Sequence, residues 1–134
     1  MRLYWNFVLA IFVWKMAFDF EKLEVYKKVK EYNSCMRKEF LVQDSIDKIS
    51  KDQLRRASLS VLLNIAEGTS RFSNASKRNF FVIARGSLFE TVALLDYLQT
   101  DGLIQKDKFE LYYMKAEEIS RMLYGMIRGL EKKV

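Results

Sequence analysis

The chain has 134 residues, half of them hydrophobic, and a net charge of +6; this is one domain's length with enough apolar material for a core, which excludes a disordered polyelectrolyte. It holds no proline, no histidine and five glycines, so helix breakers are scarce, as in an all-α protein, and the commonest general base and zinc ligand is missing. Cys35 is the single cysteine, which excludes an intrachain disulfide and points to a reducing compartment, the cytoplasm.

The chain opens on an apolar extension, residues 1–17. Its uninterrupted apolar stretch, Phe7 to Trp14, is shorter than the ~20 residues that span a bilayer. Arg2 could serve as a minimal charged start for a signal peptide, but no A-x-A cleavage pattern follows. Three readings stay open: upstream sequence ahead of a start at Met16, an apolar arm that packs on the bundle or a partner, and a membrane segment.

From Asp19 to about Val42 the residues Val25, Val29, Tyr32, Met36 and Phe40 recur at spacings of three and four, which predicts an amphipathic helix. Asp44 to Ile49 reads as a polar connector. Ser50 and Gln53 form a capping-box pattern that opens a second helix with Leu54, Ala57, Val61 and Ile65 on one face, and Leu62 and Ala66 beside it. Gly68 is placed to stop that helix in a left-handed cap. One of Ser73 to Ser76 caps a third helix, whose stripe runs through Phe80, Ala84, Leu88, Val92, Leu95 and Leu98. Asp101-Gly102 ends it. A fourth helix is predicted from about Asp107 to Lys132, anchored by Leu111, Ile119, Met122, Met126 and Leu130. Residues 18–134 therefore read as one domain, an antiparallel up-down-up-down four-helix bundle.

Polar residues gather around the second and third helices. Asn64 and Glu67 share a face, while Arg85, Gly86, Ser87 and Glu90 lie mid-way along the third helix. A glycine inside a helix costs about 1 kcal/mol relative to alanine, so Gly86 invites a close helix approach as its reason. Glu67 should lie nearer Lys77 and Arg78 than Arg85, which would reach for Glu90 or a carboxylate on another helix. A catalytic Glu67 is the functional alternative to a structural network made of Asn64, Glu67, Gly68, Arg85, Gly86, Ser87 and Glu90. The absence of histidine, of metal-ligand spacing and of any partnered nucleophile favours the structural reading: no catalytic residue, no metal, no cofactor and no small-molecule substrate. Ser58, Ser60 and Cys35 also lack a recognisable base, and Cys35 reads as a small buried hydrophobe.

The charge is uneven. Residues 51–85 carry seven Lys or Arg against two acids, whereas residues 86–134 carry seven against eight. Such an excess can attract a polyanion or only solubilise the protein. Arg55, Arg56, Arg71, Lys77 and Arg78 are the candidate phosphate contacts. Arg55 and Arg56 lie at the opposite end of the second helix from the Arg71–Arg78 turn, so the five cannot form one compact patch within a subunit.

LRRASLSVLLNIAEGTSRFS followed by KRNFFVIARGSLFETVALL resembles the four-helix-bundle proteins encoded in intervening sequences of bacterial 23S ribosomal RNA genes. These are similar in turn to accessory variability proteins of diversity-generating retroelements. The resemblance runs from about Phe18 through Glu131, with FEKLEVYKK and ISRMLYGMIRGL matching the outer helices, and leaves residues 1–17 without a counterpart, which favours the Met16 start. The family pattern often has a proline ahead of NIAEG where this chain has Leu62-Leu63, which bears on local helix geometry alone. The resemblance implies a ring-shaped homopentamer with a basic surface toward nucleic acid, no enzymatic activity and, by analogy with the retroelement relatives, contact with a reverse transcriptase. The expected function is a non-enzymatic oligomer that binds structured RNA or a hybrid duplex, with a purely structural or protein-binding bundle as the rival.

Overall fold

A computed structural model describes residues 18–131; the three readings of residues 1–17, and the end of the fourth helix at Lys132, fall outside them. Four long helices are arranged as expected: α1 (Glu24–Met36), α2 (Lys48–Thr69), α3 (Asn74–Thr100) and α4 (Lys106–Glu131). Short turns make sequential neighbours antiparallel. The α2/α3 and α3/α4 pairs form the broadest contacts, and α1 packs against α2 and α4. The core is filled by Met36, Phe40, Leu54, Ile65, Leu88, Leu95, Ile119 and Leu123, all almost wholly buried. Burying each such side chain stabilises the fold by about 1.5–3 kcal/mol, and this burial, more than helix propensity, holds the bundle together.

The first helix keeps its stripe but is not one regular helix. A 3₁₀ turn, Asp19–Lys22, precedes it, and a π-turn, Arg37–Leu41, follows it. The wider π-turn lets the adjacent residues Phe40 and Leu41 both face inward. In the connector, Ile46 is 2% exposed, so the loop read as polar contributes to the core.

The cap of α2 corrects the expectation at Ser50. Asp47 is the N-cap: its carboxylate accepts from the Ser50 backbone N–H at 2.9 Å and from the Ser50 hydroxyl at 2.7 Å. An ionised carboxylate is a stronger acceptor than a hydroxyl, so the helix starts three residues earlier than the capping box suggested. The two hydrogen bonds from Ser50 hold the Asp47 carboxyl below its ordinary pKa. The helix runs unbroken through Leu62-Leu63.

Gly68 is not a left-handed stop. Gly102 alone among the described residues has positive φ, at 75°. Gly68 lies buried inside the last turn of α2, where an added Cβ would come within 2.6 Å of the Phe81 ring. Its reason is close packing. The left-handed cap belongs to α3, where Gly102 N–H bonds to Gln99 O at 3.0 Å and Leu103 N–H to Leu98 O at 2.9 Å, the Schellman pattern. Ser73 is the N-cap of α3, accepting from Ser76 N–H at 3.1 Å.

Two stripes shift. Phe81, not Phe80, enters the core, because Gly68 leaves room for its ring. In α4 the buried row is Tyr112, Ala116, Ile119, Leu123 and Ile127. Leu111 is 46% exposed, and Met122, Met126 and Leu130 are only partly buried. The frame turns because Tyr112 is anchored from both ends. Its ring packs on Phe40 and Tyr32, and its hydroxyl donates to Glu39 at 2.7 Å.

Candidate nucleic-acid interface

The polar residues at α2 and α3 fall into two groups. Ser60 and Ser87 share a hydrogen bond of 2.8 Å across the α2/α3 seam, and Asn64 donates to the Ser60 carbonyl and hydroxyl at 2.8 and 3.1 Å. Asn64 therefore supports the seam. One turn onward Thr91, fully buried, donates to the Ser87 carbonyl. Each short hydroxyl satisfies a neighbour without holding the helices apart, which lets α2 and α3 pack closely.

Glu67 lies at the end of α2, half exposed, paired with Arg71. Arg71 in turn sits over the Phe80 ring at 4.5 Å. Among the described residues the ion-pair partner of Glu67 is Arg71, four residues on, which faces back over its own helix end.

Arg85 meets neither Glu67 nor Glu90. Its guanidinium stacks on Phe89 at 4.7 Å and lies 5.6 Å from the Tyr124 centroid. Its Nε is buried without a hydrogen-bond partner among the described residues. Gly86 is exposed, and a Cβ there would meet nothing within 4 Å, so no helix approaches it closely. Glu90 is exposed on the outer face of α3.

Of the candidate phosphate contacts, Arg71, Lys77 and Arg78 share one end of the bundle. Arg78 donates from Nε to Glu131 Oε1 at 2.8 Å, across 53 residues, and Arg128 donates to Glu131 Oε2 at 2.8 Å. This carboxylate brings the C-terminal turn of α4 against the first turns of α3. Bonding to Arg78, with the fields of Arg78 and Arg128, keeps the Glu131 pKa below the usual carboxylate range. Arg78, Arg85 and Arg128 thus line one cleft with Glu131, while Arg71, paired with Glu67, and Lys77 lie toward the same end of the bundle. Phe72 stands fully exposed in the turn between α2 and α3. The up-down-up-down order places Arg128 at this end, and the long-range pair of Arg78 with Glu131, the residue that Arg128 also binds, fixes its neighbours there.

Arg55 and Arg56 sit at the far end of α2, a helix of 22 residues and so ~33 Å long. Arg55 lies 3.5 Å from Asp52 and lines a shallow cleft with Asn33, Ser34 and Arg37. Ser58 Oγ donates to the Arg55 carbonyl, and Cys35 is only partly buried against the core.

A further network escapes sequence reading. Glu39, in the π-turn after α1, accepts from Tyr112 and pairs with Lys108 at 2.7 Å. The Lys108 hydrogen bond chiefly lowers the Glu39 pKa. Burial, reinforced by the bond to Glu39, raises that of Tyr112. Nothing in local periodicity relates residue 39 to residues 108 and 112.

Among the described residues no group of three or more Cys, Asp or Glu is arranged to hold a metal ion, and no helix is long and apolar enough to cross a membrane. The cleft that Arg85 lines does not include Glu67, the residue named for the catalytic alternative.

A family model described as 23S rRNA-intervening sequence protein matches residues 11–125. The match begins inside the segment that the resemblance left without a counterpart, and stops short of Glu131. Among solved structures, a protein of unknown function from the S23 ribosomal protein family of Bacteroides thetaiotaomicron is similar, with a TM-score of 0.72 and 26% identity, over 77% of this chain and 97% of that one. No curated protein matches the chain.

Proposed function

The chain belongs to the 23S rRNA-intervening sequence protein family, and on that footing we propose that it is a non-enzymatic, self-associating bundle that binds structured RNA or a hybrid duplex through phosphate contacts. The observation that carries this reading is the gathering of Arg71, Lys77, Arg78, Arg85 and Arg128 toward one end of the bundle, three of them lining a single cleft with Glu131. Guanidinium and ammonium groups neutralise phosphates and release condensed counterions, which supplies affinity without a deep pocket. The ion pairs to Glu67 and Glu131 are surface pairs, which an incoming phosphate can outcompete at little cost. Phe72 adds an exposed ring among these cations, as stacking on an unpaired base would require.

Self-association has its own support. Between α3 and α4 an apolar groove of about 540 Å³ is lined by Phe89, Val92, Phe109 and Tyr113. Leu59 and Leu63 of α2 are also exposed. The resemblance implies a pentameric ring, and native mass spectrometry reads the copy number directly.

The test is a salt titration of binding to a mixed-sequence RNA and to an RNA–DNA hybrid. Affinity should fall as salt rises, and replacing Arg71, Lys77 and Arg78 with Gln should flatten the log–log slope by about 0.7–0.9 for each phosphate no longer neutralised. No binding at low salt, or binding indifferent to salt, returns the protein to a structural or protein-binding bundle.

A further inference from the structure

We propose that the cleft between the N-terminal half of α3 and the C-terminal half of α4 is a stacking site for one unpaired nucleotide, with Phe89 and Tyr124 taking the base and Arg78, Arg85 and Arg128 taking its phosphate. The proposal rests on the nucleic-acid reading above and names what this site would recognise.

The cleft encloses about 380 Å³, toward the small end of the ~300–1,000 Å³ range of ligand sites. Its chemistry is unlike the apolar groove it adjoins at Phe89. Three guanidiniums line it against one carboxylate, Glu131, and both oxygens of that carboxylate are already engaged by Arg78 and Arg128. Arginine has five N–H donors, so two arginines sharing one carboxylate keep most of theirs unspent. Arg85 meets no carboxylate among the described residues, and its Nε is buried there without an acceptor.

The rings point to the second half of the ligand. Phe89 and Tyr124 are each more than half exposed, at 55% and 54%, yet they flank a guanidinium plane at 4.7 and 5.6 Å. Alternating planar cations and aromatic faces is how proteins hold splayed-out bases, which stack on either surface. A base inside a duplex has both faces covered by its neighbours, so this geometry selects single-stranded or flipped nucleotides. Gly86 supplies the room. A Cβ at that position would enter open space, so the glycine answers no intrachain packing need and leaves the cleft floor unfilled.

The experiment compares binding of a fluorescein-labelled eight-nucleotide oligouridine and a blunt RNA duplex to the full chain, Gly86→Leu and Tyr124→Leu. The Cβ of Gly86→Leu meets nothing within 4 Å, its outer carbons occupy the cleft, and leucine improves helix propensity; thermal melting checks that folding is retained. Both variants should bind the oligouridine about tenfold more weakly, the scale of a single base stack, with the salt slope unchanged because every phosphate-binding side chain is kept. Duplex binding should hardly move. A 5-iodouridine oligonucleotide should photo-crosslink to the wild-type peptides containing Phe89 or Tyr124. Unchanged oligouridine affinity in Gly86→Leu, or crosslinks confined to other peptides, overturns the stacking site while leaving phosphate binding intact. A wild-type chain that binds neither probe at low salt overturns both readings. If Tyr124→Leu lowers the native mass and spares oligouridine binding, the cleft is a subunit contact and the proposal fails.

Discussion

Helix α3 has two very different sides. Toward α2 it presents Phe81 and Ser87, and the seam closes so tightly that Gly68 has no room for a methyl group. Toward the outer edge of α4 the same helix presents Val82, Arg85, Gly86 and Phe89, where a cleft stays open and a methyl group at Gly86 would touch nothing. The two glycines lie 18 residues apart in sequence and have opposite meanings. Where small residues and hydroxyls satisfy one another, a helix face is spent on the fold. Where arginines and exposed rings lie beside unfilled space, the face is left for something outside the chain.

The strongest test of that contrast is Gly68→Val. Its branched side chain would collide with the Phe81 ring, and overpacking of this kind costs about 1–3 kcal/mol, read as a lower midpoint in chemical denaturation. An unchanged midpoint would mean that the seam is loose.

A smaller effect, about 1 kcal/mol, is expected of Glu39→Gln, which weakens the contact to Lys108 while keeping a hydrogen bond with Tyr112. Its pH dependence separates this latch from the seam, which is built of serines, an asparagine and a threonine that do not titrate. The folded pKa of Glu39 lies below its ordinary 4.5. The stabilisation it brings is complete above that ordinary value and is lost as pH falls through the depressed folded one. Acid melts of the wild type should therefore be steeper than those of Glu39→Gln, and parallel melts would mean that the latch contributes nothing.

Ser87→Ala should cost a similar or slightly smaller ~1 kcal/mol, because Ser60 keeps Asn64 as a partner. The double variant with Ser60→Ala should cost less than the two single changes together, and strict additivity would show that the hydroxyls do not couple. In the cleft the sign reverses: Gly86→Ala should stabilise the bundle by up to about 1 kcal/mol through helix propensity alone. Any loss of stability there would reveal a neighbour that approaches Gly86 more closely than the open space around it allows. Replacing Arg71 and Lys77 with Gln should change stability by no more than about 1 kcal/mol, since what Arg71 gives up is a half-exposed ion pair with Glu67 and its contact with the Phe80 ring, and Lys77 makes no ion pair among the described residues. Lost stability with nucleic-acid binding intact would make these residues structural.

Composition and periodicity were enough for the class, the number of long helices and most inward-facing residues of α1 and α2. Those features depend on local physics: a missing proline, a stripe at spacings of three and four, a serine ahead of a helix. The resemblance carried by NIAEG and ARGSLFE added the family, which the match over residues 11–125 bears out. Tertiary structure decided what those signals leave degenerate. Adjacent aromatics at 80 and 81 satisfy the same period, and only the space above Gly68 selects Phe81. In α4 the apolar residues are spread widely enough to permit two frames, and the reach of Tyr112 to Glu39 chooses between them. The partners of Arg85 and Arg128 are set by the packing of α3 on α4, because a guanidinium can satisfy itself on a carboxylate or on a ring, and the sequence does not say which will be within reach.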